Sequence, residues 1–478
     1  MTEFETVIGL EVHLQFNTAT KIFCGCANQF GQAPNSQTCP VCLGLPGTLP
    51  VFNKKALDYA IKVALALNCS INPYIKFDRK NYYYPDLPKG YQISQYDLPI
   101  ANHGFLMVKT GNELKKINIK RAHLEEDAGK LIHDASNNCS LVDYNRTGTP
   151  LMEIVSDPDM RTPQEAYDYL TTLKLTLQYL DVSDCDMEKG SLRCDANVSL
   201  RKKGDKELGV KTEIKNLNSF KAVKAALEFE EKRQEKMILA GERIIQETRL
   251  WDDAKEMTNS MRSKEEAHDY RYFPEPDLVP FIAGQNVIDT IKNSMPELPP
   301  QKFDRFVKQY GLSEYDANVL IQDKKLSAFF EKCAAKSNLT KKVCNWIIGP
   351  LMSELNSRKK DINAISLTPE NLISLIEKVE DATISNLTAK DILPLLIDSG
   401  KTAEQIIQEK GLAQVSDDSA LEKIVDEVIS ENASIVQQIK QGKESAMGFL
   451  VGQSMKKTAG KANPKKIGDI IKRRLTNV

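Results

Sequence analysis

V-I-G-L-E-V-H-L, Val7 to Leu14, alternates apolar residues with Gly, Glu and His. In an extended strand successive side chains point to opposite faces. Ile8, Leu10, Val12 and Leu14 then share one face, which must be core, and Gly9, Glu11 and His13 share the other. A carboxylate and an imidazole on one strand face, beside a residue with no side chain, form a candidate site for a metal ion or a phosphate. An ordinary half-solvated strand shows the same alternation, so the pattern gains weight where it recurs.

It recurs at S-L-R-C-D-A-N-V-S-L, Ser191 to Leu200, where Leu192, Cys194, Ala196, Val198 and Leu200 are the apolar set. Arg193, Asp195, Asn197 and Ser199 are the polar set. Val210 to Lys215 puts Lys211, Glu213 and Lys215 on one face, and L-M-E-I-V, Leu151 to Val155, sets Glu153 among apolar residues. The run Ile117 to Asp127 ends in His123, Glu125, Glu126 and Asp127. A solvated face usually mixes Thr, Ser, Lys and Gln; these faces carry carboxylates, Arg, Asn and His. Several such strands in one sheet predict a floor suited to magnesium and nucleotide phosphates. Hard cations take carboxylate oxygens, and Lys or Arg pairs with phosphate.

Strands that follow one another without helices between them predict a largely antiparallel sheet with helices on one face, an α+β fold. Helical spacing marks Asn53 to Leu67. Thr162-Pro-Gln-Glu165 combines a capping box with Pro at the first helical position and opens a helix to about Tyr179. Ser219 to Ala240 reads as a long charged helix stopped by Gly241. Phe77 to Asp97 and Met261 to Pro276 interleave tyrosines with Arg and Lys, a pattern that stacks on bases or packs a loop onto the sheet. Helical patterns follow at Pro299–Tyr310, Ser313–Asp323, Ser327–Lys336, Thr340–Asn356, Thr368–Lys378 and Thr388–Ser399. The expected organisation is a mixed domain over 1–292, a helical domain over 293–405 and a small helical tail over 406–478.

With 478 residues the chain is too long for one core. No apolar run approaches the roughly 18–20 residues of a membrane span, and M-T-E-F-E-T has neither the basic nor the apolar region of a secretory signal. A cytoplasmic location with no membrane partner is the expectation. A net charge of -1 conceals an asymmetry. From Ile439 to Val478 ten Lys and Arg stand against Glu444 and Asp469, a local net of +8. Such a segment suits a polyanion, or is a solvated lysine-rich face.

Of the ten cysteines, Cys24, Cys26, Cys39 and Cys42 form C-G-C-(x12)-C-P-V-C. Two close pairs on two turns deliver four soft ligands to a tetrahedral zinc ion, with no position left open, so the expected role is structural. A reduced, metal-free cluster is the alternative. The other six sit mostly among apolar residues and read as small core side chains.

Longer motifs point to a family. V-I-G-L-E-V-H-L, F-D-R-K-N-Y-Y-Y-P-D, H-L-E-E-D-A-G-K, V-D-Y-N-R-T-G-T-P-L-M-E-I-V-S-D-P, S-L-R-C-D-A-N-V-S, T-E-I-K-N-L-N-S-F and R-Y-F-P-E-P-D-L-V-P occur in order. Together they resemble the B subunits of the aspartyl/glutamyl-tRNA amidotransferases (the GatB family). The resemblance covers the whole chain. It implies a cradle domain, a helical domain and a tail domain touching tRNA, in a heterotrimer with an amidase A subunit and a small C subunit.

It also implies ATP-dependent phosphorylation of the side-chain carboxylate of Glu on tRNA(Gln) or Asp on tRNA(Asn). Ammonia released from glutamine by the A subunit then displaces the phosphate. Matched to the family pattern, Glu11, His13 and Glu126 are the implied magnesium ligands, with Glu125 their neighbour and with Glu153 and Asp195 in the same cradle. Lys80, Arg193 and Lys215 are implied contacts to ATP phosphates or the substrate carboxylate. The four-cysteine knuckle occurs in only some members of that family.

Three rivals stand beside this reading. The related subunit of the glutamine-only archaeal enzyme usually carries a large insertion for which this chain has no room. A tRNA-binding scaffold with an inert acidic floor has no reason to keep Glu11, His13, Glu126, Glu153 and Asp195 all polar. A free-standing ATP-dependent ligase making small amides has no use for the basic tail. No glutaminase signature is evident, so the chain alone is expected not to use glutamine.

Overall fold

The first strand, β1 (Phe4–Gln15), lies at the middle of a nine-stranded sheet. The computed structural model describes residues 3–134, 136–263, 269–412, 418–440, 446–458, 462 and 464–476. The later strands are β2 (Ser70–Ile71), β3 (Tyr74–Ile75), β4 (Asp78–Asn81), β5 (Tyr91–Ser94), β6 (Ala101–Thr110), β7 (Glu113–Glu126), β8 (Lys130–Asp134) and β9 (Cys139–Asp143). They continue with β10 (Pro150–Ser156), β11 (Leu192–Lys202), β12 (Thr212–Leu217), β13 (Glu247–Asp252), β14 (Met257–Ser263), β15 (Phe273–Pro274) and β16 (Phe281–Ile282). The large sheet runs β14-β13-β12-β11-β1-β10-β7-β6-β2. Its pairs are antiparallel except β12 with β13, which are parallel.

The alternation in β1 sets the layers. Ile8, Leu10, Val12 and Leu14 are buried, as are Leu192, Cys194, Ala196 and Val198 of β11. They share one core with α1 (Lys54–Ala66), α2 (Pro163–Tyr179), α3 (Phe220–Leu239) and Ile291 of α4 (Gln285–Asn293). Each fully buried leucine contributes about 1.5–3 kcal/mol, so a one-residue slip in register would be prohibitive. The polar face of the same strands is thereby held away from the helices.

Caps fix the helix starts. Asn53 accepts from Lys55 N at 2.8 Å, Ser219 from Ala222 N at 3.0 Å and Thr162 from Glu165 N at 3.1 Å. The expected capping box at Thr162 is only half made. Glu165 accepts instead from Arg161 N at 2.6 Å and from Lys115 Nζ at 2.7 Å, because a cation on β7 competes for its carboxylate.

The chain divides into two compact units, Met1–Pro299 and Pro300–Val478. The limit falls later than 292 because Met295 and Leu298 pack on the core of the first unit. Its successor is helical: α5 (Pro299–Tyr310), α6 (Glu314–Ile321), α7 (Lys324–Ala334), α8 (Thr340–Trp346), α9 (Met352–Arg358), α10 (Pro369–Glu380), α11 (Asn386–Ser399), α12 (Ala403–Lys410), α13 (Asp418–Glu431), α14 (Ala433–Lys440), α15 (Met447–Lys457) and α16 (Pro464–Thr476). The single helix expected over Thr340–Asn356 is split by a π-turn at Ile347–Leu351. Pro350 has no N–H and its ring crowds the carbonyl of Trp346, which widens that turn.

The second unit holds two cores. Phe306 through Ile407 build one, and Leu421 through Ile471 the other. The 405/406 limit therefore cuts α12, whose Ile406 and Ile407 belong to the earlier core. No helix among the described residues is long and apolar enough to cross a membrane.

Candidate functional site

Strand register assembles the polar face row by row. His13 lies beside Arg193 of β11 and Glu153 of β10, and Glu153 lies beside His123 of β7. One step along, Asp195, Glu11, Val155 and Arg121 form the next row; one step back, Gln15, Leu151 and Glu125 form another. Residues as far apart in the chain as Glu11 and Asn197, separated by 186 positions, thus meet on adjacent strands.

Three of these side chains converge. His13 Nε2 is 3.3 Å from Glu153 Oε2. His123 Nε2 is 3.5 Å from Glu125 Oε2 and 3.9 Å from Glu153 Oε2. Ser94 Oγ donates to Glu125 Oε2 at 3.2 Å, and Arg121 Nη2 is 3.9 Å from Glu153 Oε1. One ligand atom each from His13, Glu125 and Glu153 lies within 4.8 Å of the others. Burial opposes ionisation of both carboxyls, yet His13 holds Glu153, and His123 holds Glu125, below the usual carboxylate range. Burial alone would lower the His13 ring, but Glu153 raises it above the ordinary histidine value. Two carboxylates this close repel each other when both are ionised, and the imidazoles of His13 and His123 offset that repulsion. The Nδ1 of His123 is buried with no hydrogen-bond partner among the described residues.

The basic residues on this face are held by acids. Arg193 Nη2 donates to Asp127 Oδ2 at 2.8 Å, and Gln15 Nε2 donates to the same oxygen at 2.6 Å. Lys215 Nζ donates to Asp195 Oδ2 at 2.7 Å and lies 3.2 Å from Glu213. Glu11 Oε1 accepts from Asn197 Nδ2 at 3.0 Å. Lys80 Nζ sits 4.8 Å from the ring centre of Tyr270 and 5.7 Å from that of Tyr82.

The two tyrosine-rich segments pair with each other. β15 adds to β4, Arg79 makes 2.7 and 2.8 Å bonds to Glu275, and Tyr96 stacks on Tyr272 with centroids 4.0 Å apart. Packing therefore uses most of these rings, while Tyr83 and Tyr84 stay exposed. Residues 264–268 of the second segment lie outside the described residues.

Glu126 is not brought to this cluster. Alternation along β7 puts Ala122, Leu124 and Glu126 on the core side. There Glu126 pairs with Lys89 and accepts from Ile93 N at 2.8 Å. It shares a cavity wall with Lys89, Cys24 and Cys42. Gly44, at φ +68°, permits that closeness: a Cβ there would fall 2.4 Å from Lys89 Cγ.

One sulfur each from Cys24, Cys26, Cys39 and Cys42 lies within 4.8 Å of the others, an all-thiol donor set that could hold a metal such as zinc. The Cys42 thiol is drawn down to about 4 by its hydrogen bond with Cys24 and by Lys21, and burial pushes Cys26 up to about 11. Of the scattered cysteines, Cys69, Cys185, Cys194, Cys333 and Cys344 are buried, whereas Cys139 on β9 is exposed.

In the tail, Lys457 is bonded to Glu427 and Glu431 at 3.1 and 2.6 Å. Arg473 meets Glu422 at 2.8 Å, and Arg474 meets Asp426 at 3.0 Å. The acids all belong to α13. Lys443 and Lys461 lie outside the described residues.

Sequence reasoning missed Arg121, Gln15, Ser94 and Lys89. Arg121 and Gln15 are within reach, because 121, 123 and 125 alternate on one face of β7 and 11, 13 and 15 on one face of β1. Ser94 and Lys89 come from pairings across distant segments.

Residues 6–289 match the family profile described as the GatB/GatE catalytic domain, and residues 328–475 match the GatB domain. The chain is 56% identical over 469 residues to the B subunit of the aspartyl/glutamyl-tRNA(Asn/Gln) amidotransferase from Thermodesulfovibrio yellowstonii, covering 98% of each. It is 54% identical over 481 residues to the B subunit of the same amidotransferase from Carboxydothermus hydrogenoformans, covering 100% of each. It is 50% identical over 479 residues to that of Caldicellulosiruptor saccharolyticus, again covering 100% of each. The chain belongs to this family of amidotransferase B subunits.

Proposed function

We propose that this chain activates the side-chain carboxylate of Glu on tRNA(Gln), or Asp on tRNA(Asn), with ATP and completes its conversion to the amide. The observation that carries the reading is the convergence of His13, Glu125 and Glu153 on the polar face, within 4.8 Å of one another. A substrate carboxylate oxygen attacks the γ-phosphorus of ATP, giving an acyl phosphate and ADP. Ammonia then attacks the carbonyl carbon, the C–O bond to phosphate breaks, and the nitrogen loses a proton.

The residues present fit a hard cation through two carboxylates and one imidazole. Magnesium bound there would neutralise charge on the transferring phosphoryl group. Glu11 and Asp195, one row along, extend the same floor. In this reading Arg193 and Lys215 contact phosphate or the substrate carboxylate by exchanging partners with Asp127 and Asp195. Lys80, between two rings, has its charge directed by them. Glu126 acts from the other side of β7 through Lys89. The cysteine knuckle takes structural zinc, an amidase A subunit with a small C subunit supplies ammonia, and the tail meets tRNA.

A non-catalytic scaffold is favoured by one observation: Arg193 and Lys215 are already paired within the chain. The test is incubation of the assembled subunits with Glu-tRNA(Gln), magnesium, γ-labelled ATP and either glutamine or ammonium, followed by identification of the aminoacyl group. Gln formed only with ATP, with one phosphate released per amide, is the expected result. Salt-sensitive tRNA binding without Gln would leave the scaffold. Glu11→Ala and Glu126→Ala are expected to abolish amide formation while glutamine hydrolysis by the complex survives. Near-normal transamidation by Glu11→Ala removes Glu11 from the floor of the site, and by Glu126→Ala shows that the Lys89 pair does not support it.

A further inference from the structure

Lys21 has no exposed surface at all. Its Nζ lies 3.7 Å from Cys42 Sγ and 3.4 Å from the carbonyl oxygen of Tyr144. Among the described residues no carboxylate comes within 4.0 Å of it, in contrast with the paired cations of the sheet face. An ammonium taken out of water needs an anion as well as a dipole. The nearest candidate is the sulfur cluster.

The lysine is also fixed at its other end. Its backbone N–H donates to Cys26 O at 3.0 Å, and its carbonyl accepts from Asn53 Nδ2 at 3.2 Å. The residue therefore spans the knuckle, with its backbone on the Cys24–Cys26 turn and its ammonium on the Cys39–Cys42 turn. Ile22 N donates to Gly148 O at 2.8 Å, and the Lys21 stem runs beside Gly148, where a Cβ would sit 3.6 Å from Lys21 Cδ. Four thiolates around a divalent ion leave two negative charges in excess, in a place where water does not reach the lysine.

We propose that Lys21 is the internal counter-cation of a tetrathiolate metal centre at Cys24, Cys26, Cys39 and Cys42. The proposal rests on the metal reading of the knuckle. It assigns a role to a side chain that touches no metal and lies off the catalytic face.

The test uses the full chain as wild type, Lys21→Met and Lys21→Arg, each loaded with zinc(II) and each stripped by chelator. Zinc content, the rate of zinc transfer to a chelating dye, and Tm with and without zinc are measured. Lys21→Met is expected to lose zinc roughly 10- to 100-fold faster, the range found when partners of metal ligands are removed. Its Tm falls more in the zinc-loaded protein than in the stripped protein, where fewer of the four sulfurs are charged and the ammonium has less to neutralise. Lys21→Arg, which keeps the charge, retains zinc far better than Lys21→Met.

Equal Tm losses with and without zinc would overturn the proposal and leave Lys21 as a packing residue bonded to Tyr144. If Lys21→Met does not fold, Lys21→Gln against Lys21→Arg makes the same comparison, and equal zinc retention by the two overturns it. Less than about half a zinc per wild-type chain would instead remove the metal reading itself.

Discussion

The polar face of the sheet and the tail helices are both rich in charge, but they hold it differently. On that face Glu125 and Asp127 are buried, and each meets a cation or an imidazole. In the tail, Lys457, Arg473 and Arg474 meet the acids of α13 at the surface, with the Arg side chains 58% and 42% exposed. A buried charge that loses its partner is left stranded, whereas an exposed one is taken up by water. The sheet face is therefore an electrostatic unit in which each member sets the state of the next, whereas the tail pairs are exposed and each contributes little. Substitutions on each side can break that contrast.

Among substitutions that test this contrast the largest effect is expected at the converging site. Glu153→Ala removes one of two carboxylates and the partner of His13, and should lower ATP-dependent amide formation by about 1,000-fold, or ~4 kcal/mol in the barrier. The assay uses ammonium as nitrogen donor, so that glutamine hydrolysis is bypassed. Glu125→Ala should do the same. Wild-type rates in either variant would show that the acidic face is a stability feature and not a site.

Next is Arg193→Ala, which leaves Asp127 buried with Gln15 and the more distant Arg146. Losing one partner of a buried pair costs about 3–5 kcal/mol. The Arg193 side chain is 32% exposed, so water and Arg146 recover part of this. About 2–3 kcal/mol is therefore expected in chemical unfolding of the first unit. A cost under about 0.5 kcal/mol would make the sheet face resemble the tail.

The same pair sets a pH dependence. Burial works against the charged form of Asp127, but Arg193 and Arg146 hold its pKa below the ordinary value. A carboxyl depressed in the folded state adds stability that is present above its unfolded pKa, near 4, and is lost as pH falls through the folded value. The Tm of metal-free protein should therefore drop between about pH 5 and pH 3, and drop less for Asp127→Asn. Identical slopes would mean that Asp127 is not coupled to folding.

The contrast also explains what can be read from residues alone. Faces of β1, β10 and β11 follow from period-two alternation, and helix starts follow from Asn53, Thr162 and Ser219, because both are local. The same alternation separates Glu125 from Glu126. Counting on from His123 puts Glu125 on the polar face, whereas the family pattern favours Glu126 as a ligand. What no local rule supplies is pairing between distant segments. Arg193 finds Asp127 across 66 positions, and Lys89 finds Glu126 across 37. The basic tail reads as unopposed in sequence because its neutralising acids precede it, on α13.

The smallest effect is expected there. Arg474→Ala removes contacts to Asp426 and Glu422 that are largely in water. Exposed pairs are worth about 0.2–1 kcal/mol, so unfolding of the full chain should barely change. If the tail meets RNA phosphates, the same substitution should weaken tRNA binding and reduce the slope of log affinity against log salt by about one unit when Arg474 makes a phosphate contact. For that contact Arg474 must leave α13, and Glu422→Gln with Asp426→Asn should ease the exchange and tighten binding. A stability loss above about 2 kcal/mol for Arg474→Ala would place it with the buried pairs of the sheet. An unchanged salt slope in both variants would mean that α13 keeps its arginine and that the polyanion is met by other cations of the tail.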